Sequence, residues 1–266
     1  MVGMGEIEVW RIAVTPANSA AAASLAPRVL DAAEQRKAAA FRRPADQDLY
    51  RIAHVALRTL LADRLHRPAA ELRFRQAACP GCGKPHGRPE VISDEPLEFS
   101  LSHTTGLALI ALAPDTVGLD VERLAAFGAA TATDIAGQLH PAEQAELAAV
   151  AADLRPAATL RCWVRKEAYL KGTGMGLGAG AAADYVGLGP GYPAHPATPP
   201  PGWAIQSVPV PDAYDAAIAL RTDAPAPLPL TVRDLDLDPG LDLDLDPGLD
   251  PGLDPGLDLG IGPGIG

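Results

Sequence analysis

The chain has 266 residues and a formal net charge of −11, a length that allows one or two compact units with a sizeable core. Nine aspartates stand from Asp234 onward with no Lys or Arg among them; the body before them is close to neutral and lacks the basic surplus that non-specific nucleic-acid binding needs. Three cysteines are too few for a disulfide scaffold, and no uncharged apolar run reaches about 18 residues, so a cytoplasmic protein with no membrane span is expected.

The opening "MVGMGEIEVWRIAV" has no basic n-region and carries Glu6 and Glu8, which is unlike a signal peptide. Residues 6–14 alternate partly and predict a strand. The Ala-rich stretch 18–41 is helical in composition, with Asp31, Glu34, Arg36 and Lys37 on its polar side. Residues 46–66 predict a stronger helix: Leu49, Ile52, Ala53, Ala56, Leu60 and Leu61 recur at helical spacing, and Pro68 closes it. Residues 71–96 are rich in turn formers around "CPGCGKPHGRP". "LEFSLSHTTGLALIALAP" then reads as two strands about a Thr-Thr-Gly turn.

"VGLDVE" at 117–122 predicts a further strand, and 132–152 and 158–172 predict helices. Residues 178–202 form a Gly/Pro/Ala-rich loop, and "WAIQSVPV" with "YDAAIALR" forms a closing hairpin. The order strand, helices, hairpin thus occurs twice. It predicts an α+β fold made of two similar halves, 1–115 and 116–222, divided near Pro114–Val117. Residues 223–266 read as an acidic Pro/Gly-rich tail. From 234 it repeats "LDPG" and "LDLDPG", with no segment long enough to bury a face, so disorder is expected there.

Four clusters carry chemistry. On a strand, Asp120 and Glu122 share one face while Leu119 and Val121 take the other. Two carboxylates side by side suit a hard cation such as Mg²⁺, although this hexapeptide taken alone favours a solvated face. In "WVRKEAYLKGTGMGL", Trp163, Glu167, Leu170 and Lys171 share a helical stripe, with Lys166 one step round. Glu167 and Lys171 at i,i+4 suit a surface ion pair, but Trp163 on the same stripe argues for burial. Lysines bind phosphates as point charges. The glycines at 172, 174 and 176 end the helix and let backbone approach a ligand. Ser102-His103 stands at a strand end; adjacent strand residues face opposite ways, which disfavours a Ser–His catalytic contact. Cys79, Cys82 and His86 make three ligands of a zinc site that ordinarily wants four, and otherwise form a tight turn holding Lys84 and Arg88.

In this order the pieces resemble the 4′-phosphopantetheinyl transferases of the Sfp type. The resemblance runs from about residue 30 to about 220. It is carried by "CGKPHGRPE", "FSLSH", "VGLDVE" as a Gly-x-Asp-x-Glu motif, "DIAGQLHPAEQAEL", and "WVRKEAYLKGTGMGL" as a Trp-x-x-Lys-Glu-Ala-x-x-Lys motif. It implies a pseudo-twofold pair of α+β halves with the active site between them. It implies transfer of the phosphopantetheine arm of coenzyme A to a serine of an acyl or peptidyl carrier protein, with release of 3′,5′-ADP. By the same resemblance Asp120, Glu122 and Glu167 would hold Mg²⁺, and Lys166 and Lys171 would bind the phosphates. Lys171 would also stabilise the leaving group, and Glu167 could act as the base. Arg51, Arg88, Ser102 and His103 would bind the nucleotide. Lys37 is a weaker candidate, since Glu34 stands where some members carry a basic residue. The expected partners are coenzyme A and a carrier protein, with no nucleic acid or membrane, and a monomer is expected. The competing readings are an inactive protein that binds coenzyme A or a carrier, and a zinc-stabilised interaction module.

Overall fold

The structure, a computed structural model, describes residues 7–176, 180–192 and 199–240. The chain is α+β. Its first half runs β1 (Ile7–Ala13), α1 (Pro16–Val29), α2 (Ala32–Ala40), α3 (Pro44–Leu65), a small hairpin of β2 (Phe74–Gln76) and β3 (Pro89–Val91), then β4 (Glu98–Thr104) and β5 (Leu107–Ala113). The second half runs β6 (Val117–Arg123), α4 (Ala129–Ala136), α5 (Pro141–Ala149), α6 (Arg155–Thr173), β7 (Trp203–Ser207) and β8 (Tyr214–Arg221). No helix among the described residues is long and apolar enough to cross a membrane.

The two halves repeat one topology. Sheet order is β4-β5-β1 in the first and β7-β8-β6 in the second, all antiparallel. Alternation along the strands gives each sheet two apolar faces. One core lies between the sheets, where Val9, Leu109 and Ala111 meet Leu119, Val121 and Ile218. Helices α1 and α3 cover the far face of the first sheet through Leu25, Ile52, Ala56 and Leu57. Helix α6 covers the far face of the second through Leu160, Val164 and Ala168.

Along one side the edge strands β4 and β6 meet without forming a backbone ladder. An edge strand presents unpaired N–H groups, and burying them unpaired is costly. Ser100 and Ser102, two residues apart and therefore on one side of β4, supply the acceptors. Ser100 Oγ takes the Leu119 N–H at 2.9 Å and Ser102 Oγ takes the Val121 N–H at 3.2 Å. Thr104, next on that side, donates to Glu122 Oε2 at 3.2 Å.

The expected single helix over 18–41 is two helices. Leu30 and Asp31 are extended, and Asp31 Oδ1 accepts the Ala33 and Glu34 N–H groups while Glu34 accepts the Asp31 N–H. This capping box outweighs the helical propensity of the alanines around it. The same Glu34 is buried and receives Arg58 Nε at 2.7 Å and His54 Nδ1 at 3.1 Å. Burial would raise its carboxyl, but the His54 hydrogen bond and the two charges hold it below the ordinary value. Glu34 is thus an internal anchor between α2 and α3.

The tail begins later than expected. Residues Leu230–Asp234 form β9, parallel to β1 at the open edge of the first sheet. Asp234 pairs with Arg11 at 2.8 Å, the Leu237 N–H is taken by Asn18 Oδ1 at 2.9 Å, and Leu237 is buried in the first core. The first copy of the Leu-Asp alternation follows β9 directly as extended chain outside the sheet, with Leu235 packed on the first core and Leu237 buried in it. The rest of the expected tail, 241–266, lies outside the described residues.

Leu237→Ala should lower stability by about 2 kcal/mol, the cost of removing a buried leucine side chain near the surface. Urea unfolding measures it; an unchanged midpoint would place Leu237 outside the core.

Candidate active site

Helix α6 crosses β6 at unusually short range. A Cβ built on Gly118 would lie 1.9 Å from the Ala168 carbonyl oxygen and 2.4 Å from the Gly172 nitrogen. Gly172 is restricted in turn, with the Trp203 ring 2.6 Å from its would-be Cβ. Glycine at 118 therefore lets the helix lie on the strand, one residue pair before Asp120. The helix ends at Gly174, whose φ of 72° is left-handed and favours glycine.

This crossing brings together residues from three elements. Lys171 Nζ lies 2.7 Å from Asp120 Oδ1 and 3.0 Å from Ser102 Oγ. Ser102 Oγ is also 2.9 Å from Asp120 Oδ1. Glu167, one turn before Lys171, is close enough to Asp120 to feel its charge. Burial, and then the Asp120 carboxylate, push the Glu167 carboxyl up to about 7, against a lowering pull from Lys171. Asp120 Oδ2 and Glu167 Oε1 are buried and have no hydrogen-bond partner among the described residues. Glu122 stands two residues along the same face as Asp120, its Oε2 held by Thr104.

Two orphaned carboxylate oxygens in one buried corner are an unstable arrangement on their own. A hard divalent cation matches the donor set: oxygen ligands only, two of them buried and without a partner among the described residues, with the Lys171 ammonium beside Asp120. Asp120, Glu122 and Glu167 are the residues that would hold it.

The other expected site residues divide. Lys166 is a correction. Its ammonium is 1 % exposed and pairs with Glu143 at 2.8 Å and with the Asp184 carbonyl. It points away from Lys171, since five residues at 100° each leave the two about 140° apart round the helix. Glu143 also takes the Val186 and Gly187 N–H groups, and Arg165 holds the Gly187, Val186 and Ile205 carbonyls. Lys166 and Arg165 thus fasten α6 to the 184–188 loop rather than to a phosphate. Ser102 is also reassigned: it is buried and its hydroxyl is fully used by Val121, Asp120 and Lys171. Arg88 lies beside the α6 terminus, 3.3 Å by its N–H from the would-be Cβ of Gly174, but its guanidinium is engaged by Glu98 at 2.9 Å and Glu90 at 3.0 Å.

His103, on the opposite side of β4 from Ser102, is held down to about 4 by burial and by the nearby charges of His54 and Lys171, so it is neutral at neutral pH. Arg51 is half-buried on α3. Lys37 stands over the Tyr50 ring at 5.7 Å, and Tyr50 stacks on the buried His54 at 4.0 Å. Sequence reading did not find Ser100, Thr104 or Gly118 as site-building residues. Ser100 and Thr104 share the parity of Ser102 along β4, and Gly118 opens the acidic motif, so each left a faint signal.

The model of the 4′-phosphopantetheinyl transferase superfamily matches residues 116–188, which contain Asp120, Glu122, Glu167 and Lys171. A protein of Synechocystis sp. named "Putative 4′-phosphopantetheinyl transferase" is 26 % identical over 156 residues, 57 % of this chain and 60 % of that protein. The match thus spans less than two thirds of the relative's length. Both comparisons bear out the resemblance to the phosphopantetheinyl transferases, and neither separates the Sfp type from the rest.

Gly118→Ala should force α6 off β6 and lower stability by at least about 2 kcal/mol. A near-wild-type urea midpoint would show that the helix does not depend on that contact. A second outcome concerns charge. With no divalent cation, folded Glu167 keeps its proton to about pH 7 while the unfolded chain loses it near the ordinary carboxylate value of 4.5. Stability should therefore fall as pH rises through that window and level off above it. Glu167→Gln should remove this part of the slope, as thermal unfolding at a series of pH values would reveal; an unchanged slope would refute the assignment.

Proposed function

We propose that this chain transfers the 4′-phosphopantetheine arm of coenzyme A to a serine of an apo carrier protein, releasing 3′,5′-ADP. The observation that carries the reading is the pair of orphaned buried carboxylate oxygens on Asp120 and Glu167, set against Lys171 inside the segment that matches the superfamily. Phosphoryl transfer asks a protein for positioning and charge neutralisation rather than covalent chemistry. An acidic corner with a lysine against it suits that demand.

The carrier's serine oxygen forms a bond to the phosphorus that carries the pantetheine arm. The bond between that phosphorus and the oxygen bridging to the ADP part breaks, and the electron pair leaves on the ADP. Glu167 takes the serine proton, directly or through a water. Lys171 faces the phosphates and offsets the charge that builds on the leaving oxygen. When bound by Asp120, Glu122 and Glu167, Mg²⁺ supplies further charge neutralisation to the pyrophosphate. Ser102 and Ser100 act at one remove: they fix β4 against β6 and so set Asp120 against Lys171. His103 and Arg51 are assigned to the nucleotide. Arg88 reaches it only if the phosphates displace Glu98 or Glu90. Retention of both acids and Lys171 in one buried corner favours catalysis over a binding-only descendant, because binding alone gives no reason to keep carboxylates unsatisfied.

Incubation with coenzyme A, Mg²⁺ and a panel of apo carrier proteins should add one phosphopantetheine to a carrier, read by intact-mass spectrometry. Folded enzyme that modifies none of the panel would sink the reading. Lys171→Ala should lower turnover by about 100-fold or more with the fold intact. Lys166→Met should behave differently, costing about 3–5 kcal/mol of stability by leaving Glu143 buried and uncompensated. A Lys166→Met protein of normal stability that binds coenzyme A poorly would restore Lys166 to the phosphate site.

A further inference from the structure

One cluster of ligand-type side chains stands outside the acidic corner. The 77–88 turn connects β2 to β3 and is closed by its own backbone: Ala77 N–H to Arg88 O, Gly87 N–H to Ala77 O, and Cys79 N–H to Lys84 O at 2.8 Å. Within it the Gly83 N–H returns to the Cys79 carbonyl at 2.8 Å, and Gly83 has a φ of 72°. This folds Cys-Pro-Gly-Cys-Gly into a knuckle that turns both sulfurs to one side. His86 completes it: its Nε2 lies 2.9 Å from Cys82 Sγ, and the ligand atoms of Cys79, Cys82 and His86 all lie within 4.8 Å of one another.

We propose that Cys79, Cys82 and His86 bind a Zn²⁺ ion, with solvent in the fourth position, and that this ion locks the turn onto the C-terminal end of α6. The donor set is soft sulfur plus imidazole, which selects zinc over the hard cation suited to Asp120 and Glu122. A tetrahedral zinc with bonds of about 2.0–2.3 Å places its ligand atoms about 3.5 Å apart. The knuckle is already near that spacing, so binding needs only small rotations of Cys82 and His86. Both are exposed and free to make them.

The location gives the ion a structural consequence. A Cβ on Gly81 would lie 3.2 Å from Met175 Cε, and one on Gly174 would lie 3.8 Å from Pro80 and 3.3 Å from the Arg88 N–H. The knuckle therefore rests on the residues that follow Lys171 at the end of α6. An ion that stiffens the knuckle also fixes Arg88 and the left-handed cap of the helix. Cys162, the third cysteine, is fully buried on α6 itself and takes no part.

The test uses the full chain, purified without added chelator, dialysed against metal-free buffer and then given ZnSO₄. About one zinc per chain should be retained by elemental analysis, and Cys82→Ser or His86→Ala should lower retention at least about tenfold. Both side chains are exposed, so circular dichroism should be unchanged. In the wild-type chain Zn²⁺ should slow alkylation of Cys79 and Cys82, and Co²⁺ should give thiolate charge-transfer absorption. Zinc retained undiminished in both Cys82→Ser and His86→Ala, absence of retained zinc after loading, or alkylation at the same rate with and without Zn²⁺ would each overturn the proposal.

Discussion

The structure depends on how the unpaired edge of β6 is satisfied. Two sheets that each bury both faces must bring their edges together somewhere, and an unmet buried N–H costs about 1–3 kcal/mol. A direct β4–β6 ladder would have merged the sheets into one. Ser100 and Ser102 instead reach across and take the Leu119 and Val121 N–H groups. The hydroxyls keep the strands a side chain apart while fixing their register. Because Ser102 also touches Asp120 and Lys171, the device that joins the halves is the one that assembles the acidic corner.

Helix α6 serves two masters, and adjacent residues show it. Lys166 turns into the second half and holds Glu143 and the 184–188 loop, while Glu167 turns to β6 and Asp120. Two neighbouring charged residues with opposite duties need the helix fixed in rotation as well as position. Gly118 fixes its approach to the strand, and Arg165 and Lys166 fix its roll. The close crossing partly buries Glu167 beside Asp120, and burial with that carboxylate raises its carboxyl.

The charge balance of the corner points the same way. The Lys171 ammonium pairs with Asp120, and among the described residues one buried oxygen each of Asp120 and Glu167 is left without a partner. Stability alone would favour replacing one acid, since an uncompensated buried charge is destabilising. Keeping all three is a local cost that a divalent cation and a pyrophosphate would relieve. By contrast, both Glu34 carboxylate oxygens are taken, by His54 Nδ1 and Arg58 Nε, and that network reads as scaffold.

The sequence by itself determined the α+β class, the strands flanking the acidic motif, the shared face of Asp120 and Glu122, and the stripe of Glu167 and Lys171. These follow from periods of two and 3.6 residues, which are local properties of the chain. The sequence drew one helix over 132–152 where the chain forms α4 and α5. It left the break at Asp31 hidden, because alanine propensity masks a capping box, and it gave the first Leu-Asp repeat to a disordered tail, because burial of Leu237 needs a partner over 200 residues away in Asn18. Only the tertiary structure decided that Lys166 is a buried anchor, that Ser102 is a seam and not a free ligand, and that Arg88 is already paired. Motif spacing records which side of an element a residue occupies; which charge waits on that side depends on a strand or loop brought from elsewhere in the chain.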